Sequence, residues 1–412
     1  MSVLLITRTL REVHMSQSME ELYQQRLKRY TTALRNEKPD RVPIRLFAAE
    51  LCAKYAGYNC QQVTQDIGLA FEAVIKTCRD FDWDAAVANM VYVWGGIPQA
   101  ANLKYYAIPG VGLAPTTGFQ YLEPPEGQAW MQAEDYDDFT RDPTGWLFNV
   151  WLPRVSNDVP RPGQPASLKQ NLSLLKGGLA LMTYFTSFGP QIQRMRSECG
   201  TVSAIAGILK APLDILADKF RGYMGLCDDL VERPEKVKRM CEALMPHMLH
   251  IARTSADPSK TVPIGFWMHR SCVPFISFDH FNNIYWPTLK PIILELHKLG
   301  HQVLFYAEGK WGPHLKTFAE LPDRSIVFHC DRDDIFEVNR ILGHKFCISG
   351  GVPNAMLSFG KPAEVKACCK KIIDEVAGNG GYIMDASAIM QNDTCIENVK
   401  AMTDFTREYG VY

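Results

Sequence analysis

Short apolar runs alternate with amphipathic stretches along most of this chain. His301–Glu308, Ser325–Asp331, Lys345–Gly351 and Gly381–Asp385 are each a strand-length apolar run that ends in polar residues and is followed by a helix-like pattern. Such alternation predicts parallel β/α units. Further upstream the same reading predicts a helix over Glu20–Asn36 and a first strand over Val42–Phe47. It continues with helices near 48–56 and 61–80, a second strand at Asp84–Asn89 and a third at Gly177–Phe185. A helical pattern follows from Gly189, with two helices within 210–255, the second opening at Arg233-Pro234-Glu235. A fourth strand is expected at Pro263–His269 and a helix over 281–299. Eight strands separated by helices predict a (β/α)8 TIM barrel. Residues 20–412 then form one domain with an N-terminal helical extension, preceded by a disordered or extended segment, 1–19. Residues 95–175 are rich in Gly, Pro and aromatics, and read as a long insertion after the second strand with short helices around 135–157; long insertions of this kind commonly serve as lids or substrate loops. The runner-up, an open doubly wound sheet, would carry a Gly-rich phosphate turn, and neither G-x-G-x-x-G nor G-x-x-x-x-G-K-[ST] occurs.

Composition narrows the class. In 412 residues, 47% are hydrophobic and the formal net charge is −1. This supports a large core and gives no basic stripe of the kind nucleic acid requires. No apolar run reaches the length of a membrane span. Val3–Ile6 is followed directly by Arg8 and Arg11, so a signal peptide is not expected and the protein reads as cytoplasmic. The patterned sequence starts near Glu20, which leaves Met1, Met15 and Met19 open as the translation start. The 12 cysteines are scattered without a Cys-x-x-Cys pair and read as reduced thiols.

In a barrel the loops after the strand C-termini form the active site. That rule nominates Glu308, His329, Asp331 and Asp385 for one pocket, with His269, Arg270 and Asn89 as further polar candidates. Adjacent strand residues face opposite ways, so His329 and Asp331 share a face while Cys330 faces the helices. Asp331 has a competing role as cap of the helix beginning near Asp333. Aromatic residues (Phe47, Tyr92, Trp94, Tyr184, Phe185, Trp267, Tyr306 and Trp311) cluster at or near the expected strand ends.

Several segments carry a family resemblance. Lys38-Pro39-Asp40-Arg41-Val42-Pro43, Ala211-Pro212-Leu213-Asp214, Arg233-Pro234-Glu235-Lys236-Val237, Gly360-Lys361-Pro362-Ala363-Glu364-Val365 and Glu397-Asn398-Val399-Lys400-Ala401-Met402 follow the order and spacing of the uroporphyrinogen decarboxylase superfamily. The resemblance implies a (β/α)8 barrel and two activities, uroporphyrinogen decarboxylation and corrinoid-dependent methyl transfer. True decarboxylases carry Arg-x-x-Gly-Arg after the first strand; here the stretch is Phe47-Ala48-Ala49-Glu50-Leu51, without arginine. The thiol-directed methyltransferases carry His-x-Cys-Gly after the fifth strand and another Cys after the eighth. The matching positions here are Tyr306-Ala307-Glu308-Gly309 and Asp385-Ala386-Ser387-Ala388, and both soft ligands are missing.

What remains resembles the substrate-side methyltransferases of O-demethylase systems, which move a methyl group from a methoxylated aromatic to Co(I) of a separate corrinoid protein. On that reading the corrinoid arrives with a partner, because no Asp-x-His-x-x-Gly segment is present. The leaving oxygen needs a proton or a Lewis acid. Glu308, His329 and Asp385 are therefore the expected catalytic residues, as general acids or as ligands of a zinc ion. Asn89, Tyr92, Phe185, His269, Arg270, Tyr306 and Asp331 are the expected substrate contacts, and a homodimer is among the expected assemblies. The alternatives are a decarboxylase or lyase, a methyltransferase acting on a methyl thiol or methylamine, and a non-catalytic tetrapyrrole carrier.

Overall fold

The structure is a computed structural model and describes residues 19–89, 94–125 and 127–412. Residues 1–18 of the expected disordered or extended segment 1–19, and the expected substrate contact Tyr92, lie outside the described residues, whereas Met19 already begins a helix. Strands and helices alternate, and the strands make two parallel sheets. One has three strands, Arg45–Leu46, Ala85–Ala86 and Val202–Ser203. The other has six, Ile208–Lys210, Ile264–Met268, Val303–Ala307, Ile326–Cys330, Cys347–Gly350 and Tyr382–Ile383, each beside its neighbour in sequence.

The two sheets meet on both sides. Val202–Ser203 and Ile208–Lys210 are halves of one run, interrupted at Gly207, whose φ is +80°. A Cβ there would lie 2.4 Å from Ser255 Oγ, so the break takes a glycine. On the other side Arg45 N donates to Met384 O (3.0 Å) and Met384 N donates to Pro43 O (2.9 Å).

Residue alternation divides each strand between two environments. Leu304 and Tyr306 turn inward with Phe47, Ala85, Val202, Trp267, Val327, Cys347 and Ile383, whereas Val303, Phe305 and Ala307 pack outward under the helices. The helix over 19–34 closes one end of this interior: Tyr30 is fully buried and its hydroxyl donates to Ala204 O (2.9 Å).

One expected strand is overturned. Gly177–Phe185 lies inside a helix, Leu168–Arg194, and the third parallel segment is Val202–Lys210 instead. The helix is opened by a capping box: Ser167 Oγ accepts from Gln170 N, and Gln170 Oε1 accepts from Ser167 N. Its apolar run is dense enough to mimic a strand, while Ala204, Ala206 and Gly207 weaken the apolar signal of the true one.

The insertion builds a small sheet from Tyr106–Pro109, Gly112–Leu113 and Gln120–Tyr121, then short helices Tyr136–Arg141, Pro143–Trp146 and Leu152–Val155. All twelve cysteines are free. Among the described residues no helix is long and apolar enough to cross a membrane.

Candidate functional site

Two polar clusters occupy the strand ends, and they differ in access to solvent. The first fills the interior. Arg45, His329, Ser349 and Asp385 are all fully buried. Arg45 Nε donates to Asp385 Oδ2 (3.0 Å), and Arg45 Nη2 donates to Ser349 Oγ (2.8 Å) and to His329 Nδ1 (3.0 Å). His329 Nε2 lies 3.0 Å from Ser387 O. These partners assign the proton to Nε2 and leave the ring neutral. Burial and the Arg45 charge both hold His329 well below the usual histidine range. Burial pushes Asp385 up to about 7 against the pull of Arg45. Trp267, Tyr306 and His329 stack in succession, with ring centroids 4.6 and 4.2 Å apart. The cluster is a packed plug in which Arg45 Nη1, alone of the guanidinium nitrogens, has no hydrogen-bond partner among the described residues.

The second cluster opens to solvent. Lys210 ends the third parallel segment, and the chain turns directly into Pro212–Ile215 and Leu216–Arg221, which carry Asp214 and Asp218. The i, i+4 spacing puts both carboxylates on one helical face. Asp214 is fully buried; it accepts from Arg270 N (2.7 Å) and from the Tyr285 hydroxyl (3.3 Å), and so anchors the turn after Ile264–Met268. Asp218 accepts from Arg270 Nε (2.7 Å), lies 2.9 Å from His269 Nε2 and pairs with Lys210. Burial alone would raise Asp218, but His269 and Lys210 hold it well below the carboxylate range.

Glu308 faces this group, with Oε2 4.0 Å from His269 Nδ1. Its side chain is 32% exposed, yet the surrounding walls raise its pKa, partly offset by His269 and Lys210. Gly309 beside it has φ +87°, and a Cβ there would meet Cys272 Sγ at 2.4 Å; the glycine lets the two loops close together behind Glu308. Trp311 Nε1 donates to Glu308 O (2.9 Å) and Asp331 accepts from Gly309 N (2.8 Å), which fixes the loop.

The insertion supplies an aromatic wall. The Tyr121 hydroxyl bonds to Asp218 O, and Tyr106 packs on Phe119 with centroids 4.6 Å apart. Lys219 Nζ donates to the Tyr106 hydroxyl (3.0 Å) and lies over the rings of Tyr105, Tyr106 and Tyr121. Arg270 lies over Tyr223, 5.2 Å from its centroid, and Tyr223 meets Phe275 edge-on.

The structure therefore divides the expected site. Glu308, His269 and Arg270 come together at the opening. His329 and Asp385 meet each other at 4.0 Å inside the plug, apart from that group. The expected zinc triad does not assemble: both His329 nitrogens are engaged, Asp385 is paired with Arg45, and among the described residues no three His, Cys, Asp or Glu side chains are placed to hold a metal ion. Asp331 braces the Glu308 loop, and the helix that begins at Ile335 is capped by Asp334, whose carboxylate accepts from Phe336 N (3.0 Å). Tyr306 belongs to the buried stack, and Asn89 is buried beyond the second strand. Phe185, expected at a strand end, stands 65% exposed on the long helix. The residues missed by sequence reasoning are Lys210, Asp218, Tyr106 and Tyr121. Lys210 and Asp218 were findable, because a Lys eight residues before an Asp straddles the end of the third segment once that segment is placed correctly.

The uroporphyrinogen decarboxylase (URO-D) family matches residues 157–409, more than half of the chain. The protein belongs to this family of enzymes, whose fold is a TIM barrel. Among solved structures it is similar to a methyltransferase from Methanosarcina mazei, with 14% sequence identity and a TM-score of 0.61 over 93% of this chain and 98% of the other. At that identity the likeness speaks for the fold. No curated protein matches.

Proposed function

We propose that the protein is a methyltransferase that takes the methyl group of a methoxylated aromatic compound and delivers it to Co(I) of a corrinoid carried by a partner protein. The reading takes the two sheets as one ring, closed by the hydrogen bonds between Arg45 and Met384 and by the continuity of Val202–Lys210. The observation that carries it is Glu308: a partly exposed carboxyl with a raised pKa, 4.0 Å from the His269 ring. A phenolate leaves readily only if its oxygen is protonated as the bond breaks. In the reaction the C–O bond of the ether breaks and the methyl carbon bonds to cobalt, whose electron pair forms the new bond. Glu308 gives its proton to the oxygen, and the product is a phenol. His269, 4.0 Å away, is placed to return a proton to Glu308. Asp218 holds His269, Lys210 and Arg270 in register, and the outward part of Arg270 is available to an anionic ring substituent. The tyrosines of the insertion provide a flat wall for an aryl ring. Phe275, Phe278 and Met224 are exposed, and the first of them packs against Tyr223 beside Arg270; they suit the approach of a protein partner.

The donor set does not fit a resident zinc ion, so the proton from Glu308 serves as the activating device. Decarboxylation of a polycarboxylate is disfavoured because Arg45, the arginine of the first strand, is fully buried and paired with Asp385. The test mixes pure protein, chemically reduced cobalamin and a panel of methyl donors. Methylcobalamin is expected from aryl methyl ethers. Its absence across ethers, methylamines and methyl thiols, or release of carbon dioxide from a polycarboxylate tetrapyrrole, overturns the reading.

A further inference from the structure

The long helix Leu168–Arg194 touches the rest of the molecule along one narrow stripe. Ser173, Gly177, Ala180 and Gln191 are buried there. Ser173 Oγ donates to Ala100 O (3.3 Å), a Cβ on Gly177 would lie 3.3 Å from Ala101, and Gln191 Nε2 donates to Phe71 O (3.2 Å). The opposite side carries Leu168, Leu172, Leu175, Leu179 and Met182, with Leu174, Leu181 and Phe185 on one flank, and all eight are 38–74% exposed. At 100° per residue the first five fall within an arc of about 80°, centred about 145° from the buried stripe.

Their successive intervals are 4, 3, 4 and 3 residues. This is the a/d repeat by which one helix packs knobs into the holes of another. A helix apolar on both faces is expected to be covered on both. The seam is also nearly free of charge: between 168 and 190 there are two lysines, Lys169 and Lys176, and no acidic residue. Lys169 is turned to Asp158 at 3.2 Å. The five seam side chains expose on the order of 500 Å² of apolar surface, the size at which a contiguous patch on a single chain commonly marks an interaction site, and Leu174, Leu181 and Phe185 widen it on one flank.

We infer that this seam pairs with the same seam of a second copy of the chain, forming a two-fold dimer. An isologous contact needs only one surface that complements itself, and a heptad seam supplies that. A bilayer surface would make no use of the 4-3-4-3 register. The inference is independent of the methyl-transfer reading.

Sedimentation velocity of the full chain at about 1–50 μM tests it. A species of twice 46.5 kDa is expected. Leu175→Glu/Leu179→Glu, at positions exposed in the single chain, is expected to weaken dimerisation at least 100-fold with an unchanged far-ultraviolet circular dichroism spectrum. Diluting the parent through its dissociation range is expected to speed amide exchange within 168–186 while the strands stay protected. A parent monomeric up to about 100 μM overturns the inference. So does a dimer that the two glutamates leave intact, or a monomer that binds lipid vesicles through this helix.

Discussion

Replacing Arg45 by methionine separates a structural role for His329 and Asp385 from a catalytic one. The guanidinium is fully buried and holds Asp385, Ser349 and His329 at 2.8–3.0 Å. Its removal leaves the Asp385 carboxylate unpaired in the interior, a change worth about 3–5 kcal/mol in comparable buried pairs. The cost depends on pH in a definite direction. Burial already raises Asp385 to about 7, while Arg45 pulls it down. Without Arg45 the pKa climbs further. A carboxyl whose folded pKa exceeds its unfolded value loses stability as pH rises toward the folded value. At pH 6 the variant takes up a proton and escapes most of the penalty. Above pH 7 the penalty relative to the parent grows by about 1.4 kcal/mol per pH unit, up to the full cost of the bare charge. Urea denaturation midpoints at pH 6 and pH 9 read this difference. The double variant Arg45→Met/Asp385→Asn should recover most of the loss at pH 9, because no charge remains to be paired. A loss that is smaller at pH 9 than at pH 6, or methyl transfer abolished with stability untouched, would refute the reasoning and return His329 and Asp385 to the active site.

Glu308→Gln should lower the rate of methyl transfer by about 10²–10⁴-fold, the usual contribution of a general acid, with no loss of thermal stability. Because the acid must carry its proton, the parent's rate should fall as pH rises through the raised pKa of Glu308, and this limb should be missing in the variant; a Gln variant with near-parent rates would exclude the proton-donor role. Glu50, buried with its carboxyl against Gly118 and Phe119 of the insertion, is raised to about 7 by burial. Its burial should therefore contribute a loss of up to about 3 kcal/mol as pH climbs from about 4.5 to 7, additional to that of Asp385, and Glu50→Gln should reduce the fall in stability between pH 5 and pH 8 by that amount; the same fall in parent and variant by urea titration would sink the assignment.

The last four strands were legible because each is a compact apolar run closed by polar residues, and Glu308 came with them. The third segment was hidden. Val202–Lys210 is short, carries alanines and is bent at Gly207, while the stronger apolar signal of 177–185 belongs to a helix that lacks cover on one side. Misplacing that strand removed Lys210 and Asp218 from view. The role of His329 was hidden for another reason. Its fate is decided by Arg45, 284 residues away in sequence. Local pattern fixes that a histidine turns inward at a strand end. Whether it meets solvent or a buried guanidinium depends on which side chain the packing of the two sheets brings opposite.

Trp267, Tyr306 and His329 stack within the buried interior, and Tyr30 belongs to the same buried cluster. On the proposed reading, donor and carrier share a single doorway, so the small molecule has to be seated before the large one arrives, and the spent phenol stays trapped until the carrier withdraws. Turnover would then be paced by the coming and going of the carrier, with excess carrier acting as a brake.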